Sequence, residues 1–190
     1  MSLKVHPDIA SLVPYVPGKP IEELQRELGL PRAVKLASNE NPIGPSPKAL
    51  AALAEVAPTL HRYPDGGAFR LRGAMAERWK VTPDQIILGN GSDEILGLLA
   101  RTFLSPGDEA VMAQHTFVIY KMEVTAAHGV AVEVPQKHWH HDLPAMADAI
   151  TAKTRLLFIC NPNNPTGTMA TKEEVAALMA RVPDHVVVVF

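Results

Sequence analysis

From position 85 onward, short apolar runs alternate with stretches in which apolar residues recur every three or four positions. Residues 85–88, 109–113, 130–134, 155–160 and 186–190 have the length and β-branched content of buried strands. Helical spacing fills the intervals and predicts helices over 92–104, 118–128, 143–150 and 172–181. Strand and helix in alternation imply an α/β fold, a three-layer αβα arrangement on a mostly parallel sheet. The short step from residue 128 to residue 130 leaves room for one neighbour placed differently.

The first part of the chain lacks that rhythm. Prolines stand at 7, 14, 17, 20, 31, 42, 45 and 47, which leaves space for one short helix, over 21–28. Residues 36–45, Leu-Ala-Ser-Asn-Glu-Asn-Pro-Ile-Gly-Pro, read as a short strand running into a loop. Ser46-Pro47 offers an N-cap with proline at the first helical position, and Ala49, Leu50, Leu53 and Val56 carry a helix to about residue 57. The segment 61–67, His-Arg-Tyr-Pro-Asp-Gly-Gly, breaks it, and Phe69, Leu71, Met75 and Trp79 predict a second helix ending near Lys80. The expected organisation is an N-terminal arm with part of a small domain over 1–45, and an incomplete large domain over 46–190. Five apolar residues at 186–190 would bury a terminal carboxylate in a sheet, so a longer parent protein is expected.

Composition narrows the function more than the fold. The 190 residues carry a net charge of -2 without a long basic run, which disfavours nucleic acid and anionic membranes and favours a small-molecule ligand. No apolar stretch approaches the roughly 20 residues that span a bilayer. Cys160 is the single cysteine, so no internal disulfide forms, and no signal-peptide pattern opens the chain; the cytoplasm is the expected compartment.

Three loops could carry chemistry. The apolar run 156–160 leads into Asn161-Pro162-Asn163-Asn164-Pro165-Thr166-Gly167, at the strand's C-terminal end, where open α/β sheets bind ligands. An ordinary turn explains the same residues. Gly89-Asn90-Gly91-Ser92-Asp93-Glu94 precedes a helix, and free N–H groups with a helix dipole suit a phosphate there; Ser92 and Asp93 are equally good N-caps. Neither a Walker A lysine nor the third glycine of a dinucleotide fingerprint is present. Phe117 is either a staple for the helix that follows or an aromatic able to stack on a flat ring. Tyr63, in a Pro/Gly loop, either caps a core or offers a hydroxyl to a ligand. His138-Trp139-His140-His141 invites a zinc reading, but no cysteine lies nearby and adjacent histidines rarely share an ion, so no metal site is expected. No Gly-x-Ser-x-Gly hydrolase motif occurs.

The stretch 36–45 with its Ser-Asn-Glu-Asn-Pro core, Arg62-Tyr63-Pro64-Asp65, the loop 89–94, residues 115–120 and the loop 161–167 occur in an order that resembles the fold type I pyridoxal-phosphate aminotransferases, most of all their histidinol-phosphate branch. The resemblance implies the large-domain fold of that family and the cofactor pyridoxal 5'-phosphate. It implies that Ser92, Asp93 and Glu94 form the phosphate loop, that Phe117 stacks on the pyridine ring, and that Asn164 bonds the ring's phenolic oxygen. Tyr63 would reach the cofactor phosphate of a second subunit, which implies a homodimer with shared sites. Tyr15 and Asn39 match the cover over the substrate. The Schiff-base lysine, the aspartate facing the ring nitrogen and the arginine that reads a substrate carboxylate are expected beyond Phe190, so no catalytic residue is assigned here. The implied reaction exchanges an amino group between histidinol phosphate and 2-oxoglutarate, with glutamate as the other amino compound, in histidine biosynthesis. Aromatic amino-acid aminotransferases and threonine-phosphate decarboxylase share much of the pattern, and a truncated chain could be a noncatalytic module.

Overall fold

The computed structural model describes residues 4–190. In chain order the helices are α1 (Pro7–Ser11), α2 (Ile21–Leu28), α3 (Pro47–Val56), α4 (Phe69–Trp79), α5 (Gly91–Phe103), α6 (Val118–Ala126), α7 (Leu143–Asp148) and α8 (Lys172–Met179). The strands are β1 (Glu109–Ala113), β2 (Val130–Val134), β3 (Thr154–Phe158) and β4 (Val187–Val189), and 3-10 turns occupy Ala57–Thr59 and Pro83–Gln85. The chain forms two compact units, one of Met1–Pro14 with Leu88–Phe190 and one of Tyr15–Ile87.

The first unit is built on a four-stranded sheet in the order β2-β1-β3-β4, with every pairing parallel. The His128–Val130 connection, despite its shortness, ends in a parallel neighbour, because α6 has already carried the chain back to the start of the sheet. Alternation along the strands sorts their side chains between two faces. Ala110 and Met112 of β1 and Leu156 and Phe158 of β3 meet Leu96 and Ala100 of α5 and Tyr120 and Val124 of α6. Val111, Ala113, Leu157 and Ile159 point the other way, onto Leu143 and Met146 of α7 and Leu178 of α8. A sheet between two helical layers is the predicted αβα architecture, and because both its faces are dry its strands read as apolar runs. Leu156, Leu157 and Ile159 have no exposed surface; truncating one to alanine is worth roughly 2–5 kcal/mol.

The second unit holds α2, α3 and α4. Its helices are amphipathic but bury little: α2 and α3 contain no buried residue, and α4 buries Ala76 alone. Ser46 stands at the N-cap of α3 as its sequence predicts, with Pro47 at the first helical position, but its side chain makes no capping bond.

Several expectations are corrected. Residues 86–88 follow the turn Pro83–Gln85 in extended form but belong to no strand, and 36–45 is coil and turns with Leu36 almost fully exposed. Extended backbone becomes a strand only when a neighbour completes its ladder, and among the described residues neither segment has one. A second short helix, α1, occupies part of the arm predicted to hold only α2: Pro7 starts it in the position where a missing N–H costs nothing.

Candidate functional site

The path of the chain over the sheet creates one distinctive place. From β1 the chain crosses through α6, on one face, to β2; from β3 it crosses through α8, on the other face, to β4. The connections leaving the two adjacent central strands thus diverge, and a crevice opens between the loop after β1 and the loop after β3. Such a switch point, outside the carboxyl ends of the strands, is where open α/β sheets take their ligands.

A third element reaches the same edge. α5 leads into β1 through residues 104–108, so it runs opposite to β1 while packing on the sheet. Its 13 residues span about 20 Å, and a five-residue strand about 17 Å. The N-terminus of α5 therefore lies at the edge where β1 and β3 end.

That N-terminus is open. Asn90 at the N-cap makes no side-chain capping bond, Gly91 takes a left-handed backbone at φ 76°, and Ser92, Asp93 and Glu94 are exposed in the first turn. The N–H groups of a first turn have no partner inside the helix. Here they remain available to an anion, and Ser92 adds a hydroxyl. Glu94 behaves differently from its neighbours: its carboxylate folds back to accept the Asn90 N–H, bracing the loop. By contrast, α7 and α8 are closed by their own residues, Asp142 capping the first and a Thr171–Glu174 capping box the second.

The loop after β1 supplies an aromatic. Phe117 is the N-cap residue of α6, half-buried and in a T-shaped pair with Tyr120 at 5.7 Å, and Tyr120 in turn stacks on Phe158 at 4.5 Å. Phe117 thus packs against the core as a staple would while standing at the strand-end edge. Burial, reinforced by the neighbouring Cys160 thiol, pushes the Tyr120 hydroxyl far above its ordinary pKa, so it stays protonated.

The loop after β3 is fixed by Asn163, not Asn164. Asn163 is 3% exposed. Its Oδ1 accepts from Thr116 Oγ1 at 2.8 Å and from His141 Nε2 at 3.1 Å, while its Nδ2 donates to the His115 carbonyl at 2.9 Å and to Thr166 Oγ1 at 2.7 Å. Its backbone N–H reaches the Thr168 carbonyl and its carbonyl accepts from the Gly167 N–H. Every donor and acceptor of the residue is used. One side chain therefore ties the loop after β1 to the loop after β3 across the crevice, and sequence reasoning gave it no role. Asn161 closes the base of the same loop with two bonds to Ala170, and the Asn161–Pro162 and Asn164–Pro165 peptides are cis.

Asn164 is bound differently. Its backbone N–H donates to Cys160 Sγ at 3.2 Å, and its half-buried carboxamide has no hydrogen-bond partner among the described residues. Burial holds the pKa of His141 below the usual histidine range, against the pull of its Asn163 bond, and the nearby His140 lowers it further. It therefore serves as a neutral donor to Asn163.

Ser92, Asp93, Glu94, Phe117 and Asn164 thus belong to one unit and one edge of its sheet. Tyr63, Tyr15 and Asn39 belong to the other unit. Tyr63 is fully exposed in the loop before α4, Tyr15 is exposed at 56%, and Asn39 sits in a turn with φ 51°.

Similarity to known proteins bears on the family of the chain. The family model described as aminotransferase class I and II matches residues 31–190. Histidinol-phosphate aminotransferase 2 of Carboxydothermus hydrogenoformans is 53% identical over 181 residues, which cover 95% of this chain and 50% of that protein. Histidinol-phosphate aminotransferase of Moorella thermoacetica is 51% identical, over 95% of this chain and 47% of its own length. Among solved structures, histidinol-phosphate aminotransferase from Sinorhizobium meliloti in complex with pyridoxal-5'-phosphate superposes with a TM-score of 0.85 at 28% identity, over 97% of this chain and 50% of that one. The chain spans about half the length of the curated relatives it matches. With the sheet, its switch point and these matches in agreement, the chain belongs to the class I and II aminotransferase family.

Proposed function

We propose that the protein carrying this chain transfers an amino group between histidinol phosphate and 2-oxoglutarate, using pyridoxal phosphate, as a step of histidine biosynthesis in the cytoplasm. The observation that carries the reading is the convergence, at one switch point, of an uncapped helix start, an aromatic edge and a carboxamide with unused bonding capacity. Those three chemistries fit the three parts of the cofactor. The α5 N-terminus suits its phosphate, Phe117 its planar ring and Asn164 its phenolic oxygen. When bound, the cofactor supplies the electron sink and holds the amino group between the two halves of the exchange.

The chain's own residues then have defined tasks. Ser92 and Asp93 with their backbone N–H groups hold the phosphate and fix one end of the ring. Glu94, whose carboxylate is turned to the Asn90 N–H, keeps the loop in shape. Asn164 donates to the phenolic oxygen and sets how strongly it holds a proton. Tyr63 completes the phosphate site of a second copy, and Tyr15 and Asn39 cover the substrate. In the whole protein, residues 1–45 form the arm with part of the small domain, and residues 46–190 the first part of the large one.

Turnover is the test. The intact protein, incubated with pyridoxal phosphate, gains the visible absorbance of bound cofactor and consumes histidinol phosphate with 2-oxoglutarate as acceptor. Turnover of phenylalanine but not histidinol phosphate assigns the aromatic branch, and carbon dioxide release from threonine phosphate assigns the decarboxylase. Absence of bound cofactor removes the whole reading.

A further inference from the structure

At the end of α6 away from the strand-end loops, three metal-ligand side chains meet where α1 packs on that helix. Asp8 Oδ2 lies 2.9 Å from His128 Nδ1 and 3.4 Å from His6 Nδ1, and the two imidazole rings are 3.9 Å apart between centroids. One ligand atom from each residue lies within 4.8 Å of the others. A tetrahedral zinc ion with bonds of about 2.0–2.1 Å separates its ligand atoms by about 3.3 Å. The two measured separations bracket that edge length.

His128 Nδ1 is hydrogen-bonded to Asp8 Oδ2 at 2.9 Å, and His6 Nδ1 stands 3.4 Å from the same oxygen. The Asp8 backbone N–H donates to His6 Nδ1 at 3.3 Å, so in the neutral ring that nitrogen is an acceptor. It faces the Asp8 carboxylate, another acceptor, with no proton between them. A divalent ion would engage all three ligand atoms at once. The long N–H contact is readily given up, because a first-turn N–H can be satisfied by water.

The backbone also holds the cluster in place. His128 follows the last turn of α6 at φ 63°, a left-handed conformation where glycine is the usual residue and a side chain is uncommon. Bonds from the His128 N–H to the Thr125 carbonyl and from the Gly129 N–H to the Val124 carbonyl lock that turn. The imidazole is therefore presented from a rigid point, one-third exposed, toward the segment that carries His6 and Asp8.

We propose that His6, Asp8 and His128 form a binding site for a divalent transition-metal ion of the zinc class, with two imidazole nitrogens, one carboxylate oxygen and a solvent-facing fourth position. The ion staples the start of the chain to the C-terminal end of α6. Its role is structural, since it stands apart from the strand-end edge that begins α6. The sequence conceals the set because 120 positions separate Asp8 from His128.

Cobalt(II), whose visible d–d bands report tetrahedral nitrogen and oxygen coordination, tests the site in the intact protein. One equivalent should produce the bands and zinc should displace it. His6→Gln and Asp8→Asn should each weaken binding at least about tenfold while circular dichroism and cofactor loading stay unchanged. His6 and Asp8 lie at the surface, outside both core clusters, so neither variant is expected to disturb folding. Absence of bands in the parent protein, or bands that survive both substitutions because the ion sits on the 138–141 histidines, overturns the proposal.

Discussion

Asn163 is worth more to the candidate site than any residue expected to touch a ligand. Replacing it by alanine strands the Thr116 hydroxyl and the His141 ring, and a half-buried group left without its partner costs about 1–3 kcal/mol. Asn163→Ala should therefore lower stability by about 3 kcal/mol in urea denaturation; a loss below about 1 kcal/mol would show that the two loops hold their geometry without it. His141 adds a pH dependence. Its folded pKa lies below the unfolded value of about 6.5, so the unfolded chain binds the extra proton first. The stability it contributes is complete above that value and is lost as pH falls through the folded-state pKa. His141→Gln, which keeps an N–H for Asn163, should flatten the stability curve on the acid side; an unchanged slope would rule this residue out. The sequence showed the Asn-Pro-Asn-Asn-Pro loop but not which amide faces inward. That depends on how the backbone turns after β3 and on partners 22 and 48 positions away, which no local spacing reveals.

At the scale of elements, α7 and α8 close their own starts with side chains. Thr171 closes α8, its Oγ1 accepting the Glu174 N–H at 3.2 Å while its own N–H donates to the Glu174 carboxylate at 2.7 Å. Thr171→Ala should cost about 1 kcal/mol, seen as a fall in the denaturation midpoint. A change within error would mean that packing by Leu178 alone keeps the helix in place. The same cap on α5 would close the N–H groups that a phosphate needs, and that helix is left open. Strands β1 and β2 were legible to the residue because each is a short, mainly apolar run set between stretches of helical spacing. The helices α6, α7 and α8 end two residues before the predicted limits, since hydrophobic spacing continues into residues that pack without remaining helical. Residues 36–45 and 85–88 misled for a different reason. An apolar run records burial or extension, but a strand also needs a neighbour, and pairing is a property of the sheet.

At the scale of the molecule, α3 exposes Leu50, Leu53 and Val56, and the loop beyond it exposes Leu60 and Tyr63. Such apolar surface is covered in a folded protein by the remainder of a longer chain or by a partner, and the proposed role of Tyr63 makes a second copy the cover to test. Sharing of sites can be separated from mere dimerisation by mixing two defective proteins. Tyr63→Phe weakens the phosphate contact that a subunit lends to its neighbour, while Asn164→Ala weakens the subunit's own ring contact. A hybrid of the two holds one site with both defects and one with neither. Random reassociation makes about half of the dimers hybrids, so about a quarter of all sites regain both native residues. The mixed sample, unfolded and refolded together, should therefore recover activity toward a quarter of the parent level, above the mean of the two variants refolded apart. If Tyr63 instead serves its own subunit, every site keeps one defect whatever the pairing, and the mixture stays at that mean.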